Sequence, residues 1–275
     1  MDIIDISLWN EPEDSLWTAG KREKSWMVNP NTDQVYLFKK PKTEGEMYAE
    51  VSAFKIGKNL FSLEIPYTEF AVFKEIFGTV SESFITDLKK YEFREAVDYY
   101  GDSFDAMNLQ HYTIEKTIKI VEKLNIKENF FDMCIFDYLI ANQDRHSQNW
   151  GIITEIKTGC TKFAPLYDNG SSLLNGIKDE RLLMMSKDSN MFKSYHNRAT
   201  SIFTINNQRK PKHLVLIKFL SENDKELFLK SFSRFKDVEY DTLYQVVDRI
   251  DMSKLRKEMI CKLILSRIEL IRELI

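Results

Sequence analysis

The sequence predicts an α+β chain with a small strand-rich first part and a larger, mostly helical remainder. Three observations carry that expectation. Short apolar runs bounded by turn residues fill Ser25 to Phe84, interrupted by one helical segment. Amphipathic runs of helical period dominate from Asp87 onward. Among those runs lies a polar loop, Asn142 to Asn149, followed after a hairpin-sized gap by a second acidic loop at Asp168. With 275 residues there is chain for one large domain or for two lobes sharing an interface, and 19 Phe with 12 Tyr supply core material. The expected division is 1–85 for the strand-rich lobe and 86–275 for the helical lobe.

Bulk properties exclude several classes. A net charge of −3 argues against a general nucleic-acid binder, so no direct nucleic-acid partner is expected. Cys134, Cys160 and Cys261 are odd in number and far apart, which suggests neither a disulfide framework nor a zinc site. The opening MDIIDISLWNEPEDSLW is acidic ahead of any apolar run, unlike a signal peptide, and no apolar stretch reaches bilayer length. A soluble, cytoplasmic protein without a membrane partner is expected, and an effector exported without a cleavable signal would share these features.

Trp17 to Lys42 reads as strand, turn, strand: Ser25 to Val28, the turn Asn29-Pro30-Asn31, then Val35 to Phe38. Gly20, Lys21, Arg22 and Lys24 form a basic turn ahead of the first strand, where backbone N–H and ammonium groups suit phosphates; a solvated turn is the competing reading. Lys39 and Lys40 end the second strand on opposite faces, and either could point inward. Glu44 to Leu60 is helical. Glu50 lies on its apolar stripe with Met47, Ala53, Phe54 and Gly57, where a carboxylate is costly unless a cation meets it. A strand lysine paired with a glutamate on the following helix is the ion pair that positions nucleotide phosphates in protein kinases. Glu64 to Phe84 reads as a hairpin with Gly78 near its turn. Its end, at Ser81 and Glu82, is where a two-lobed chain would hold an adenine edge through backbone groups. Leu88 to Tyr100 and Thr113 to Leu124 are amphipathic helical runs, with His111 as a surface or capping residue. Phe130 to Ile140 is apolar nearly all round and is expected as a buried helix.

That helix delivers Asn142-Gln143-Asp144-Arg145-His146-Ser147-Gln148-Asn149. Trp150 to Ile153 then forms a strand, Lys157-Thr158-Gly159 a turn and Thr161 to Phe163 the returning strand, which brings Asp168 back beside Asn149. Asp144 precedes Asn149 by five positions, the offset between base and metal-binding Asn in a kinase catalytic loop. Phosphoryl transfer asks for little more than placement and charge neutralisation. Asp144 is the candidate for the acceptor hydroxyl, Asn149 and Asp168 for Mg²⁺, and Gly170 for a tight turn after Asp168. Arg145 and His146 rank first as residues that hold the loop.

These residues are also where the chain resembles the HipA-like kinases, in their C-terminal kinase region. Asp144 to Asn149 matches the family's DRHxxN loop and Pro165-Leu166-Tyr167-Asp168 its PxYD segment. Ala19-Gly20 with Lys24 is similar to the family's phosphate loop. Tyr36-Leu37-Phe38-Lys39 resembles the strand bearing its ATP lysine, which favours Lys39 over Lys40, and Ala49-Glu50 resembles the start of its helix motif. The resemblance runs from about Trp17 to Ser172. It implies a two-lobed kinase fold, ATP and Mg²⁺ as cofactors, and phosphorylation of protein Ser or Thr. Many members are toxins paired with a DNA-binding antitoxin. Two departures stand out. Full-length family toxins carry an additional N-terminal subdomain, which here would be separately encoded or absent. Trp17 replaces the serine often found three residues before the loop glycine, so self-phosphorylation there is not carried over.

Leu173 to Lys212 is long and polar, with Lys178, Arg181, Lys187, Lys193, Arg198, Arg209 and Lys210, and is either a substrate platform or a solvated loop. His213 to Leu220, Lys225 to Phe235, Tyr240 to Ile250 and Ser253 to Ile275 are expected as closing helices. The favoured function is an ATP- and Mg²⁺-dependent Ser/Thr protein kinase, a toxin or an effector. The alternatives are a lipid or small-molecule kinase of related fold and a non-catalytic pseudokinase, the latter disfavoured by the intact Lys39, Asp144, Asn149 and Asp168.

Overall fold

In the computed structural model, residues 3–12 and 24–275 are described, so Gly20, Lys21 and Arg22 of the basic turn lie outside the described residues and Lys24 within them. The first sheet contains β1 (Ile4–Asp5), β2 (Lys24–Val28), β3 (Val35–Lys39), β4 (Thr68–Phe73) and β5 (Ile76–Glu82), in the order β1-β4-β5-β3-β2. β2 and β3 pair antiparallel from Lys24↔Lys39 to Val28↔Val35, across a turn closed by Asn29 and Gln34. Strand alternation sorts the side chains of β3. Phe38 joins Ile6, Met27, Ala71 and Val80 in a small core, while Leu37 and Lys39 face a cavity and Lys40 is exposed.

The β4–β5 hairpin was expected to turn near Gly78, and it does not. The turn residues are Lys74 and Glu75, both left-handed at φ 47° and 70°. Two positive-φ residues match the twist of a tight hairpin, but Lys-Glu carries none of the usual Asn-Gly chemistry. Gly78 lies inside β5 for another reason: a Cβ there would come within 2.4 Å of the Lys39 carbonyl oxygen.

Helix α1 (Glu44–Phe61) carries Glu44 and Glu46 in its first turn, where carboxylates complement the helix dipole, and ends at the left-handed Ser62. Its buried side presents Ala49, Glu50, Ala53 and Ile56. The run from Leu88 to Tyr100, expected as helix, is instead β6 (Tyr91–Glu95) followed by a 3₁₀ turn at Ala96–Tyr99. Along β6, Tyr91, Phe93 and Glu95 are half-buried and Glu92 and Arg94 are exposed, a period of two. Its partner β7 (Gly151–Glu155) lies more than fifty residues on, and long-range pairing overrides the local charge pattern. β8 (Thr161–Phe163) completes this second sheet as the expected return strand.

Helix α2 (Ile114–Lys123) is capped by Thr113, whose side chain accepts from the Lys116 amide; His111 stays outside it and is exposed. Helix α3 (Lys127–Ile140) is buried from Phe130 on and stops at Ala141, left-handed at φ 56°. The stretch without assigned structure after Ser172 contains α4 (Asp179–Lys187) and α5 (Ser189–Arg198). The closing helices are α6 (His213–Asn223), α7 (Lys225–Ser233), α8 (Tyr240–Asp248) and α9 (Lys254–Leu274). One continuous core joins Ala49 and Ile56 of α1 to Phe136 of α3 and to Ile260, Ile264, Ile268 and Ile271 of α9. Among the described residues no helix is long and apolar enough to cross a membrane.

Candidate active site

A cavity of about 1080 Å³ lies between the first sheet, α1 and the loops that follow α3 and β8. Every described residue that the sequence marked for binding or chemistry lines it: Lys24, Lys39, Glu50, Ser81, Glu82, Asp144, Asn149 and Asp168.

Lys39 lies at one end, buried, with Nζ 3.4 Å from Glu50 Oε1 and 3.3 Å from Asp168 Oδ1. Burial alone would pull its ammonium down. The carboxylates of Asp168 and Glu50 more than offset that and hold it at about 12, so Lys39 is a permanent cation. Glu50 uses its second oxygen to accept from the Asn169 amide at 3.0 Å, which ties α1 to the loop after β8. That loop turns at Asp168 itself, left-handed at φ 56°. Gly170 lies in the turn that follows, as expected, but its φ is not in the left-handed region; what favours glycine there is space, since a Cβ on it would meet Glu50 Oε1 at 3.3 Å.

The loop after α3 is built on Arg145. Its guanidinium donates to both carboxylate oxygens of Asp137 (2.9 and 2.8 Å), to the carbonyls of Asn149 (2.7 Å) and Tyr167 (2.5 Å), and to Asn169 Oδ1 (2.6 Å). A planar fork with five donors suits that task. Asn142 donates to Asp137 at 2.9 Å and accepts from the Asp144 amide at 3.1 Å, which fixes where Asp144 leaves the helix. Asn149 Nδ2 donates to the Asp144 carbonyl at 2.8 Å, so the Asn149 side chain holds the loop while its Oδ1 accepts no hydrogen bond from the described residues. His146 Nδ1 accepts from the Gln148 amide, leaving Nε2 to carry the proton of the neutral ring. Burial pulls that imidazole below its usual range, against the opposing pull of Asp144 and Asp168.

The edge at Ser81 and Glu82 differs in detail from expectation. Ser81 Oγ lies 3.0 Å from Thr68 Oγ1, the Glu82 amide donates to the Tyr67 carbonyl and the Ser83 amide to the Val35 carbonyl. Those two amides are committed within the protein. Phe84, which also lines the cavity, follows them, and its ring stacks on Tyr167 at 5.7 Å.

Sequence reasoning missed Asp137 and Asn169. Asp137 had a signal: an acid in an otherwise apolar buried helix needs a cation, as Glu50 did. Asn169, whose amide holds Glu50 and whose side chain holds Arg145, had none beyond its place beside Asp168.

The donors present fit a hard divalent cation. Asn149 and Asp168 both line the cavity and offer oxygen donors, and two such donors are the small protein share typical of Mg²⁺ sites completed by phosphate and water. Among the described residues no group of three or more His, Cys, Asp or Glu could hold a metal by itself.

A family model described as the HipA-like C-terminal domain matches residues 17–222. The serine/threonine-protein kinase CtkA of Helicobacter pylori is 25% identical over 165 residues, which cover 58% of this chain and 47% of CtkA; the chain thus spans about half the length of that curated relative. Among solved structures, the H. pylori proinflammatory kinase CtkA superposes with a TM-score of 0.80 at 18% identity, over 99% of this chain and 98% of that one. A chain of the Shewanella oneidensis toxin–antitoxin complex of HipA, HipB and operator DNA superposes with a TM-score of 0.63 at 11% identity, over 96% of this chain and 68% of that one. The structural matches establish the α+β, kinase-like fold.

Proposed function

The chain belongs to the HipA-like C-terminal domain family, and from that premise we propose that it is an ATP- and Mg²⁺-dependent kinase that phosphorylates serine or threonine of a protein. The observation that carries this function is the Lys39 ammonium held between Glu50 and Asp168 in the cavity that Asp144 and Asn149 also line.

In this mechanism Lys39 is positioned by Glu50 and turns from Asp168 to the nucleotide phosphates. Residues 1–85 grip the nucleotide and 86–275 carry the acceptor side. The adenine edge runs along Ser81 to Phe84, with Phe84 supplying the backbone amide that Glu82 and Ser83 cannot. Gly20 and Lys24 are assigned to the phosphates. Asn149 and Asp168 would hold Mg²⁺, which when bound neutralises charge on the phosphates. Asp144 takes the acceptor proton as the hydroxyl oxygen bonds to the γ-phosphorus; the bond from that phosphorus to the β–γ bridging oxygen breaks and ADP leaves. Such chemistry suits the cytoplasm, where ATP and Mg²⁺ are supplied. The Shewanella complex of HipA with HipB makes an antitoxin partner the first to test by co-purification.

The decisive experiment is incubation with γ-labelled ATP and Mg²⁺, with and without host lysate, followed by phosphoamino-acid analysis. Phosphoserine or phosphothreonine is expected, absent with Asp144→Ala. Label found only in lipid or a small metabolite would move the function to the related lipid or small-molecule kinases.

A further inference from the structure

Between Ser189 and Ser221 the sequence holds six Lys or Arg and no Asp or Glu, in a chain whose net charge is −3. Between α5 and α6, residues 199–212 form a loop held by two isolated antiparallel bridges, Thr200 with Lys212 and Ile205 with Gln208. The Ser201 amide donates to Pro211 O at 2.9 Å and the His213 amide to Ala199 O at 3.0 Å, while Ile205 and Gln208 exchange hydrogen bonds around Asn206 and Asn207. Both asparagines are left-handed, at φ 49° and 65°, the conformation of a two-residue hairpin turn to which Asn is suited.

The bridged loop is tied to the loop that carries Asp144. Phe203 stacks on Tyr112 at 4.5 Å, and the Tyr112 hydroxyl donates to the Arg145 carbonyl at 3.1 Å. The Thr204 amide donates to Tyr112 O at 2.8 Å. Closer still, the Thr200 amide donates to the side chain of Gln143, the residue before Asp144, at 3.4 Å. Thr200 forms an isolated antiparallel bridge with Lys212. Arg198, Arg209, Lys210 and Lys212 are all exposed.

We infer that this bridged loop, with Arg198 at the end of α5, is a docking platform for an acidic segment of the protein substrate, next to the hydroxyl that enters at Asp144; the inference rests on the kinase function proposed above. An excess of one sign on one surface steers and holds a chain of the other sign. Arg198 and Arg209 offer forks that match carboxylates. A single-stranded nucleic acid is the other polyanion of this charge, but such binders present aromatic rings for base stacking. Here Phe192 and Phe203 are buried, and Tyr195 and Phe219 are half-buried.

The test measures binding apart from catalysis. A labelled peptide with a serine among Asp and Glu residues is titrated by fluorescence anisotropy, beside an Asn/Gln counterpart and an RNA oligonucleotide of equal length. The wild type and the R198E/R209E/K212E variant are compared, with ATP hydrolysis and thermal unfolding as checks that the variant is intact. The wild type is expected to prefer the acidic peptide over the neutral one by about tenfold, and to lose that preference in the variant and on raising salt about tenfold. Equal binding of the two peptides, an undiminished preference in the variant, or tighter binding of RNA that the variant abolishes would each overturn the inference. Binding as expected while no protein or peptide ever takes up label from ATP overturns the kinase function instead, and the substrate role with it.

Discussion

Arg145 with Asp137 and Lys39 with Glu50 are both buried ion pairs, built to opposite ends. Arg145 makes five hydrogen bonds of 2.5 to 2.9 Å to four residues, and both Asp137 oxygens are engaged. Lys39 meets its two carboxylates at 3.3 and 3.4 Å, longer than the usual range for a charge-assisted bond, and does so at a cavity wall. A saturated guanidinium has no donor left for a ligand and serves to fix backbone. An ammonium held loosely between two carboxylates can exchange one of them for a phosphate oxygen. Charge and burial are nearly the same in the two pairs; what separates scaffold from site is how completely the donors are used.

The largest effect should follow from breaking the saturated pair. Arg145→Ala leaves the Asp137 carboxylate buried without its cation and frees the carbonyls of Asn149 and Tyr167, a loss of roughly 3–5 kcal/mol. Urea denaturation should show the variant close to unfolded, with no transfer activity. Arg145→Lys should rescue little, since one ammonium cannot replace the fork. A stable, active Arg145→Ala protein would erase the distinction between the two pairs.

On the exchangeable side, substitutions should cost activity and spare the fold. Asp144→Ala should lower transfer by roughly a hundredfold to ten-thousandfold while the protein still binds Mg-ATP, because a base acts only in the transition state. Asp168→Ala should lose Mg²⁺-dependent nucleotide binding, with Asn149→Ala resembling it. Lys39→Ala should weaken transfer sharply, and Lys40→Ala, at an exposed position, far less. Calorimetric titration with ATP, with and without Mg²⁺, sorts these variants. If Asp144→Ala loses Mg-ATP while Asp168→Ala keeps it, the two aspartates have been given each other's roles.

The same contrast explains what could be read from sequence. Lys39, Glu50, Asp144, Asn149 and Asp168, which all line the cavity, stand out because each keeps polar chemistry at a position where local pattern alone would put something else. The buried helix α3 and the closing helices follow from apolar periodicity, a local property. β6 was illegible because its identity comes from pairing with β7 far along the chain. The Lys74-Glu75 turn was illegible because neither residue prefers a positive φ. The Asn206-Asn207 turn, by contrast, did carry its signal, hidden in a stretch that charge made look solvated. Arg145 could be seen as a loop residue, but the saturation of its fork depends on Asp137 and Asn169, which only the fold brings to it.

The smallest expected effect concerns a third pair, intermediate between the other two. Asp132, on the same helix as Asp137, reaches Arg234 at 3.2 Å through one oxygen, while its other oxygen is buried with no hydrogen bond of normal geometry from the described residues, Ser231 being its polar neighbour. Burial pushes its carboxyl up to about 6, and Arg234 only partly opposes that. A folded-state value above the ordinary 3.8 means that the folded protein binds this proton more tightly than the unfolded chain. The stability contributed is therefore full below about pH 4 and is lost as pH rises through about 6. Asp132→Asn keeps the shape, removes the charge, and leaves Arg234 its bonds to the carbonyls of Phe61 and Ser62 at the end of α1. The variant should be at least as stable as the wild type at neutral pH. Between about pH 7 and 5 the wild type should gain about 1 kcal/mol relative to it, as Asp132 takes up its proton. Urea denaturation of both proteins at matched pH values measures that difference. A wild type that instead loses stability relative to the variant on acidification would mean that Arg234 satisfies Asp132 as fully as Arg145 satisfies Asp137, and that the half-used pair is no different in kind from the saturated one.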